Sequence, residues 1–250
     1  MTRFHETPIV VLHGWGMNAK VWEVVRDDLE QAHTGELRFL DLPGFGHNRE
    51  VPENYDLNAL ADWLNGEVLE ASIVIGWSLG GLIAQRFAKR YPNKVARLGL
   101  VASTPKFLQS EQWPGIKPEV LQMFAEQLQK NPTQTIERFL AIQAMGSATA
   151  KQDIKQLREL VLSAPSADSK ALAEGLNILH HEEEFSAVED ADLQVHLLLG
   201  RLDSLVPQRM RKLLVERAQN TQVDIIAKAS HAPFISHKTE FLAWFERLRG

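Results

Sequence analysis

Short runs rich in Val, Ile or Leu recur at residues 9–12, 37–41, 72–76, 95–102, 195–200 and 223–227, each bounded by Gly, Pro or Asp. Runs of that length without polar alternation suit strands buried on both faces, as in parallel sheets. Between them apolar positions return at helical spacing, over 21–30, 57–69, 79–91, 208–218 and 238–248. In the last of these, Phe241, Trp244, Phe245 and Leu248 share one face. Alternation of the two patterns predicts an α/β fold, a mostly parallel twisted sheet with helices on both faces.

The middle of the chain breaks this rhythm. Residues 107–185 carry no strand pattern, and helical periodicity predicts segments at 118–130, 133–145, 148–162 and 169–180. An unstructured loop of such length is foreign to a compact domain. The stretch therefore reads as a helical cap inserted into a core made of residues 1–106 and 186–250.

Composition sets limits on partners. With 250 residues, 44% of them hydrophobic, the chain is long enough to bury a large core. A formal net charge of -5 argues against a nucleic-acid partner, which calls for a basic surface. Absence of cysteine removes disulfides, thiolate chemistry and cysteine-ligated metals. The opening MTRFHETPIV lacks a basic start followed by an apolar stretch, and no apolar run approaches the ~18 residues of a membrane span. A soluble cytoplasmic monomer with no membrane contact is the expectation.

The candidate chemistry lies in Gly76-Trp77-Ser78-Leu79-Gly80, a G-x-S-x-G directly after a buried strand and directly before a helix. At such a strand-to-helix turn a serine is held strained with Oγ exposed at the carboxyl end of the sheet. A bare Gly-rich turn is the bland alternative, and the strand before and helix after weigh against it. A serine hydroxyl needs a base, and the base needs a third group to fix its tautomer. In this architecture they follow in the order Ser, acid, His. Asp203, just beyond the run at 195–200, and His231, just beyond the run at 223–227, occupy those positions.

Competing residues fit less well. His237 starts the last helix, where a capping or surface role suits it better; Asp224 lies inside a strand and Asp192 before one. His180 and His181, followed by three glutamates, lack the spacing of a zinc-binding helix and read as a solvated helix end. No metal or organic cofactor is called for. Developing oxyanion charge needs donors. The backbone N–H of Trp15, in the HGWG turn at 13–16, and that of Leu79, after the nucleophile, are the candidates. His13 reads as structural, hydrogen-bonding neighbouring loops.

Taken together, HGWG, DLPGFG, GWSLGG, GRLDSLVP and SHAPFISH resemble the α/β-hydrolase superfamily over essentially the whole chain. EQWPGIKPEVLQMF, TIERFLAIQAMG and AKASHAPFISH are similar to a narrower group, the carboxylesterases of biotin synthesis. The superfamily pattern puts the cap after the sixth strand, with an opening hairpin shortened here because few residues precede Ile9. The resemblance implies a serine carboxylesterase that hydrolyses the methyl ester of pimeloyl-[acyl-carrier protein], with Ser78 as nucleophile, His231 as base and Asp203 as its orienting acid. It further implies that Trp15 and Leu79 bind the ester end while Phe139, Leu140, Ala141, Ile142 and Gln143 line an acyl channel.

The cap carries one independent hint of an acidic partner. Lys151, Lys155 and Arg158 recur at i, i+4 and i+7 on one helical face, with Arg138 on the preceding helix. Such cations on an acidic protein would steer an anionic carrier protein, and equally they make an ordinary solvated face. Lysines in this cluster supply point charges without the bidentate reach of arginine. Cap residues Phe107, Leu121, Phe124, Phe139 and Ile142 would wall a tunnel or form cap core. From the residues alone, small esters are substrates. A general short-chain carboxylesterase, a carbon–carbon bond hydrolase and a low-turnover ligand-binding protein stay open, whereas dehalogenase or epoxide-hydrolase chemistry would need aspartate at position 78.

Overall fold

The computed structural model describes residues 6–145, 148–218 and 220–250. The six apolar runs form six strands: β1 Ile9–Leu12, β2 Leu37–Leu40, β3 Ser72–Trp77, β4 Val95–Val101, β5 Val195–Gly200 and β6 Thr221–Ile226. They pair in parallel in the order β2-β1-β3-β4-β5-β6. Every residue of β1, β3 and β5 is buried, as the unbroken apolar runs require, while the edge strands β2 and β6 are mostly half-exposed. The chain leaves β1 towards β2 and returns to β3 on the other side, so the strand order reverses between β1 and β3. A crevice forms outside the carboxyl ends of strands at such a reversal, and the turns after β1 and β3 open into it.

Helices α1 Arg26–Ala32, α2 Leu57–Glu67 and α3 Leu79–Arg90 make the first crossovers; α8 Ser186–Glu189, α9 Met210–Arg217, α10 Pro233–Ser236 and α11 Lys238–Arg249 complete the core. One predicted helix divides. Asn18 caps a 3-10 turn over Ala19–Val24 through the N–H of Lys20, and Val25, at φ -126 and ψ -3, interrupts the spiral before α1. Below the crevice Trp22, Trp77, Phe234 and Phe241 form a buried aromatic stack, with Trp22 and Phe234 rings 4.3 Å apart. Full burial of each large apolar side chain contributes roughly 1.5–3 kcal/mol, so this stack fixes the last two helices against β3.

Between β4 and β5 run α4 Pro118–Lys130, α5 Pro132–Gln143, α6 Ala150–Leu162 and α7 Ser169–His181. The insertion therefore follows the fourth strand of this sheet and not the sixth, because no strand precedes β1 among the described residues. Phe107, Leu121, Phe124 and Phe139 are buried in one cluster with the sheet core, and Phe124 meets Phe139 edge to face at 5.7 Å. Those four residues make cap core, and Ile142 is half-buried against it.

Candidate active site

At the end of β3 the chain turns into α3 within one residue. Gly76 permits this: a Cβ there would run into the backbone of Gly80 and Gly81 in the first turn of α3. Ser78, at φ 54 and ψ -119, adopts a conformation that non-glycine residues rarely hold. Its backbone is clamped: Ser78 N–H donates to Val101 O at 3.0 Å, and its carbonyl accepts from the Ser103 hydroxyl at 2.8 Å. The side chain points at His231, whose Nε2 lies 2.9 Å from Ser78 Oγ, while His231 Nδ1 lies 2.8 Å from Asp203 Oδ2. Facing a carboxylate, Nδ1 carries the proton, so Nε2 is left to accept from the hydroxyl.

All three groups are buried, Ser78 being 2% exposed and His231 0%. Asp203 Oδ1 accepts the N–H groups of Leu205 at 2.8 Å and Val206 at 3.0 Å, a turn that aims Oδ2 at the imidazole. Imidazole placement depends on the cap as well, since His231 N–H donates to Gln143 O at 2.9 Å. His231 O in turn accepts the Trp77 indole N–H at 2.8 Å.

The other wall is the turn after β1. His13 Nε2 accepts the N–H of Leu42 at 3.0 Å and its Nδ1–H donates to Gly14 O at 2.8 Å, joining the loops after β1 and β2. Burial lowers its pKa to about 4, so the ring stays neutral in this role. Asp41 braces the same corner, taking the N–H groups of Ala19 and His47. Trp15 is fully buried, its indole N–H bound to Leu172 O of α7 at 2.8 Å and its ring edge to face with Phe139 at 4.8 Å. Among the described residues, neither the backbone N–H of Trp15 nor that of Leu79 has an acceptor, which leaves both donors for a ligand.

A buried serine, histidine and aspartate in one hydrogen-bonded chain beyond the carboxyl ends of β3, β5 and β6 can activate a hydroxyl for attack on a carbonyl carbon. A family model for the alpha/beta hydrolase fold matches residues 7–238. The chain belongs to the α/β-hydrolase family. It is 46% identical over 235 residues to a Pseudoalteromonas atlantica protein named pimeloyl-[acyl-carrier protein] methyl ester esterase, covering 93% of this chain and 90% of that relative. A Shewanella woodyi protein of the same name is 45% identical over 94% of this chain and 90% of its own. Among solved structures, an esterase from Exiguobacterium antarcticum superposes with TM-score 0.86 at 18% identity, covering 98% of this chain and 92% of that one. A Bacillus anthracis bromoperoxidase reaches 0.81 at 19%, over 96% and 92%. At such identities these two share the fold alone.

Other sequence-predicted positions of this α/β-hydrolase fall in several surroundings. Five consecutive helical residues cannot share a face: Phe139, Leu140 and Gln143 point inward, Ile142 is half-buried and Ala141 is exposed. A cavity of about 210 Å³ reaches from Gly16 and Met17 to Ile136, Leu140, Val161 and Leu172. Arg138, Lys151, Lys155 and Arg158 are all exposed, but Arg158 is paired with Glu137 at 2.8 Å and Lys155 with Glu159 at 3.8 Å. His237 does not cap α11 with its side chain; its Nδ1 meets Ser236 Oγ at 2.8 Å. His180 and His181 end α7 with their rings 4.3 Å apart. Among the described residues no group of three or more His, Asp or Glu is arranged to hold a metal ion, and no helix is long and apolar enough to cross a membrane.

Sequence reasoning missed two contributors, Ser103 and Leu172, because each reaches the site across the fold.

Proposed function

We propose that this chain is a serine carboxylesterase that cleaves the methyl ester of pimeloyl-[acyl-carrier protein], releasing methanol and the free distal carboxylate in biotin synthesis. Ser78 Oγ attacks the ester carbonyl as His231 Nε2 takes its proton, and Asp203 holds the imidazole and stabilises its charged form. The N–H groups of Trp15 and Leu79 stabilise the tetrahedral oxyanion. The protonated imidazole gives its proton to the departing methoxide. Water, deprotonated by the same histidine, then hydrolyses the acyl-enzyme.

What carries the ester-hydrolase reading is the unbroken chain from Ser78 Oγ through His231 to Asp203, at 2.9 and 2.8 Å. The acyl-carrier substrate is supported by the shared name of relatives 41–46% identical over nearly the whole chain. Apolar Ile136, Leu140 and Leu172, which line the cavity beside Gly16 and Met17, suit a linear acyl chain. Arg138 and Lys151, exposed and without ion pairs among the described residues, supply positive charge for an acidic carrier.

Two assays test this reading. Ser78→Ala is expected to abolish hydrolysis of p-nitrophenyl butyrate and labelling by a serine-directed phosphonate. On methyl pimeloyl-acyl carrier protein the parent is expected to show a higher kcat/KM than on free methyl esters. Turnover by Ser78→Ala removes serine from the mechanism, and a preference for free esters removes the carrier substrate.

A further inference from the structure

One turn of the cap helix α7 touches the side chains of both residues that supply the proposed oxyanion donors. Leu172 O receives the Trp15 indole N–H at 2.8 Å. Three residues later, on the same face of the helix, Gly175 presents a bare Cα. A Cβ there would stand 2.7 Å from Trp15 Cδ1, 3.1 Å from Trp15 Nε1 and 3.5 Å from Leu79 Cδ2. The first of these is closer than real Cβ contacts come, and the indole has nowhere to retreat. Its N–H is tied to Leu172 O, the Phe139 ring packs against it in a T-shaped contact at 4.8 Å, and both Trp15 and Leu79 are wholly buried. Glycine is disfavoured in a helix interior, so its presence in the middle of α7 calls for a packing reason.

We propose that Gly175 is a positioning residue for the oxyanion hole: by lacking a side chain it lets α7 press against Trp15 and Leu79 together, so that the cap sets the separation of the two donors. This rests on the esterase reading above. Trp15 and Leu79 lie far apart in sequence, after β1 and at the start of α3, and Gly175 of α7 faces both side chains. A Cβ at position 175 pushes the indole and the loop that carries it. Oxyanion stabilisation depends steeply on donor geometry, so such a push falls on the transition state and not on ground-state binding.

The test is a double-mutant cycle on p-nitrophenyl butyrate hydrolysis between Gly175→Ala and Trp15→Val, the latter keeping the backbone N–H while removing every ring atom that a Cβ would meet. Gly175→Ala alone is expected to lower kcat by on the order of 10- to 100-fold with KM within about twofold. Affinity for a trifluoromethyl ketone, whose adduct with the serine carries an oxyanion, should fall in parallel. In the Trp15→Val background the same substitution is expected to cost less than about threefold. Ser78→Ala separates this inference from the reading beneath it. If that variant turns over, the esterase reading fails. If it is inactive while Gly175→Ala keeps kcat within about twofold, or costs the same in both backgrounds, only the role of Gly175 is overturned. Should Gly175→Ala fold only when combined with Trp15→Val, the clash is established; misfolding in both backgrounds overturns it.

Discussion

The hydroxyl of Ser103 donates to the main-chain carbonyl of Ser78 at 2.8 Å, with both residues buried. This bond reaches from the loop after β4 to the strained turn after β3 and holds that turn through its main chain. Ser103→Ala removes it, while the carbonyl keeps the Gly81 N–H at 2.9 Å. A lost neutral hydrogen bond of this kind costs about 1 kcal/mol. The urea midpoint is therefore expected to fall with m unchanged, and kcat to fall with it as the serine loses its fixed aim. An unchanged midpoint and kcat would assign the strain of Ser78 to other contacts.

Asp203 offers a separate test of the proton path. Its Oδ1 is saturated by the N–H groups of Leu205 and Val206, which leaves Oδ2 for His231 Nδ1–H. In Asp203→Asn the amide oxygen satisfies those two donors best, which turns the amide NH₂ towards Nδ1 and forces the proton to Nε2. That tautomer cannot accept from serine, and kcat is expected to drop on the order of 10⁴-fold with the fold intact. Circular dichroism and steady-state kinetics on one preparation check both halves.

Gly76→Ala is expected to be worse for folding than for chemistry. The added methyl would collide with the backbone of Gly80 and Gly81, which no side-chain rotation relieves. Overpacking against backbone costs about 1–3 kcal/mol and occasionally more. A large drop in thermal midpoint, or loss of soluble protein, is the expected outcome; a midpoint within a degree or two would mean that α3 can shift away from β3.

These residues also show what is legible without coordinates. The elbow was readable because Gly76, Ser78 and Gly80 are close in sequence and lie between a buried strand and a helix. The chain order of Ser78, Asp203 and His231 follows from strands that each end in the same crevice. Contacts that span the fold were not readable. Trp15 and Leu172 are 157 residues apart and share neither a motif nor a strand. The division of the first helix at Val25 was hidden too, because Val21 and Leu29 keep apolar spacing on both sides of the break. Exposure of Ala141 follows from helix geometry alone once α5 has a direction.

His13 gives the stability a pH dependence. Burial lowers its pKa from 6.5 to about 4, so over that window the unfolded chain binds the proton and the folded one does not. Stability then rises with pH from about 4 to 6.5 and is lost as the solution is acidified through that window, the protonated ring being unable to accept the Leu42 N–H. The contribution is on the order of 3 kcal/mol across the full window. His196, lowered chiefly by burial and secondarily by Arg97, adds to the slope with the same sign. Urea unfolding at pH 7 and pH 5 should show the parent losing more stability than His13→Gln, which cannot titrate. Equal losses would mean that other groups carry the acid sensitivity.

Where the insertion rejoins the core, Arg86 of α3 closes a clasp on two glutamates. Its Nε lies 2.5 Å from Glu184 Oε2, its Nη2 3.1 Å from Glu182, and its Nη1 donates to Asn58 at 2.7 Å. Alongside, Glu184 N–H donates to Pro105 O and Lys106 pairs with Glu183 at 3.0 Å, so the segments entering and leaving the insertion are pinned to each other as well as to α3. Glu184 is only 2% exposed. Arg86→Met thus leaves a buried carboxylate whose Oε1 still accepts from Ser186 but whose Oε2 keeps only the exposed Lys89, at 3.7 Å, among the described cations, and breaking a buried pair in this way costs about 3–5 kcal/mol. Replacing both partners, Arg86→Met with Glu184→Leu, removes the stranded charge, and the double variant is expected to be more stable than Arg86→Met alone. Because the pair is mostly shielded from solvent, 1 M salt should change the difference little. Urea unfolding of parent, both single variants and the double variant measures the coupling. Additive losses, or a deficit that salt erases, would make the clasp an ordinary surface pair and leave the seating of the cap to its apolar contacts.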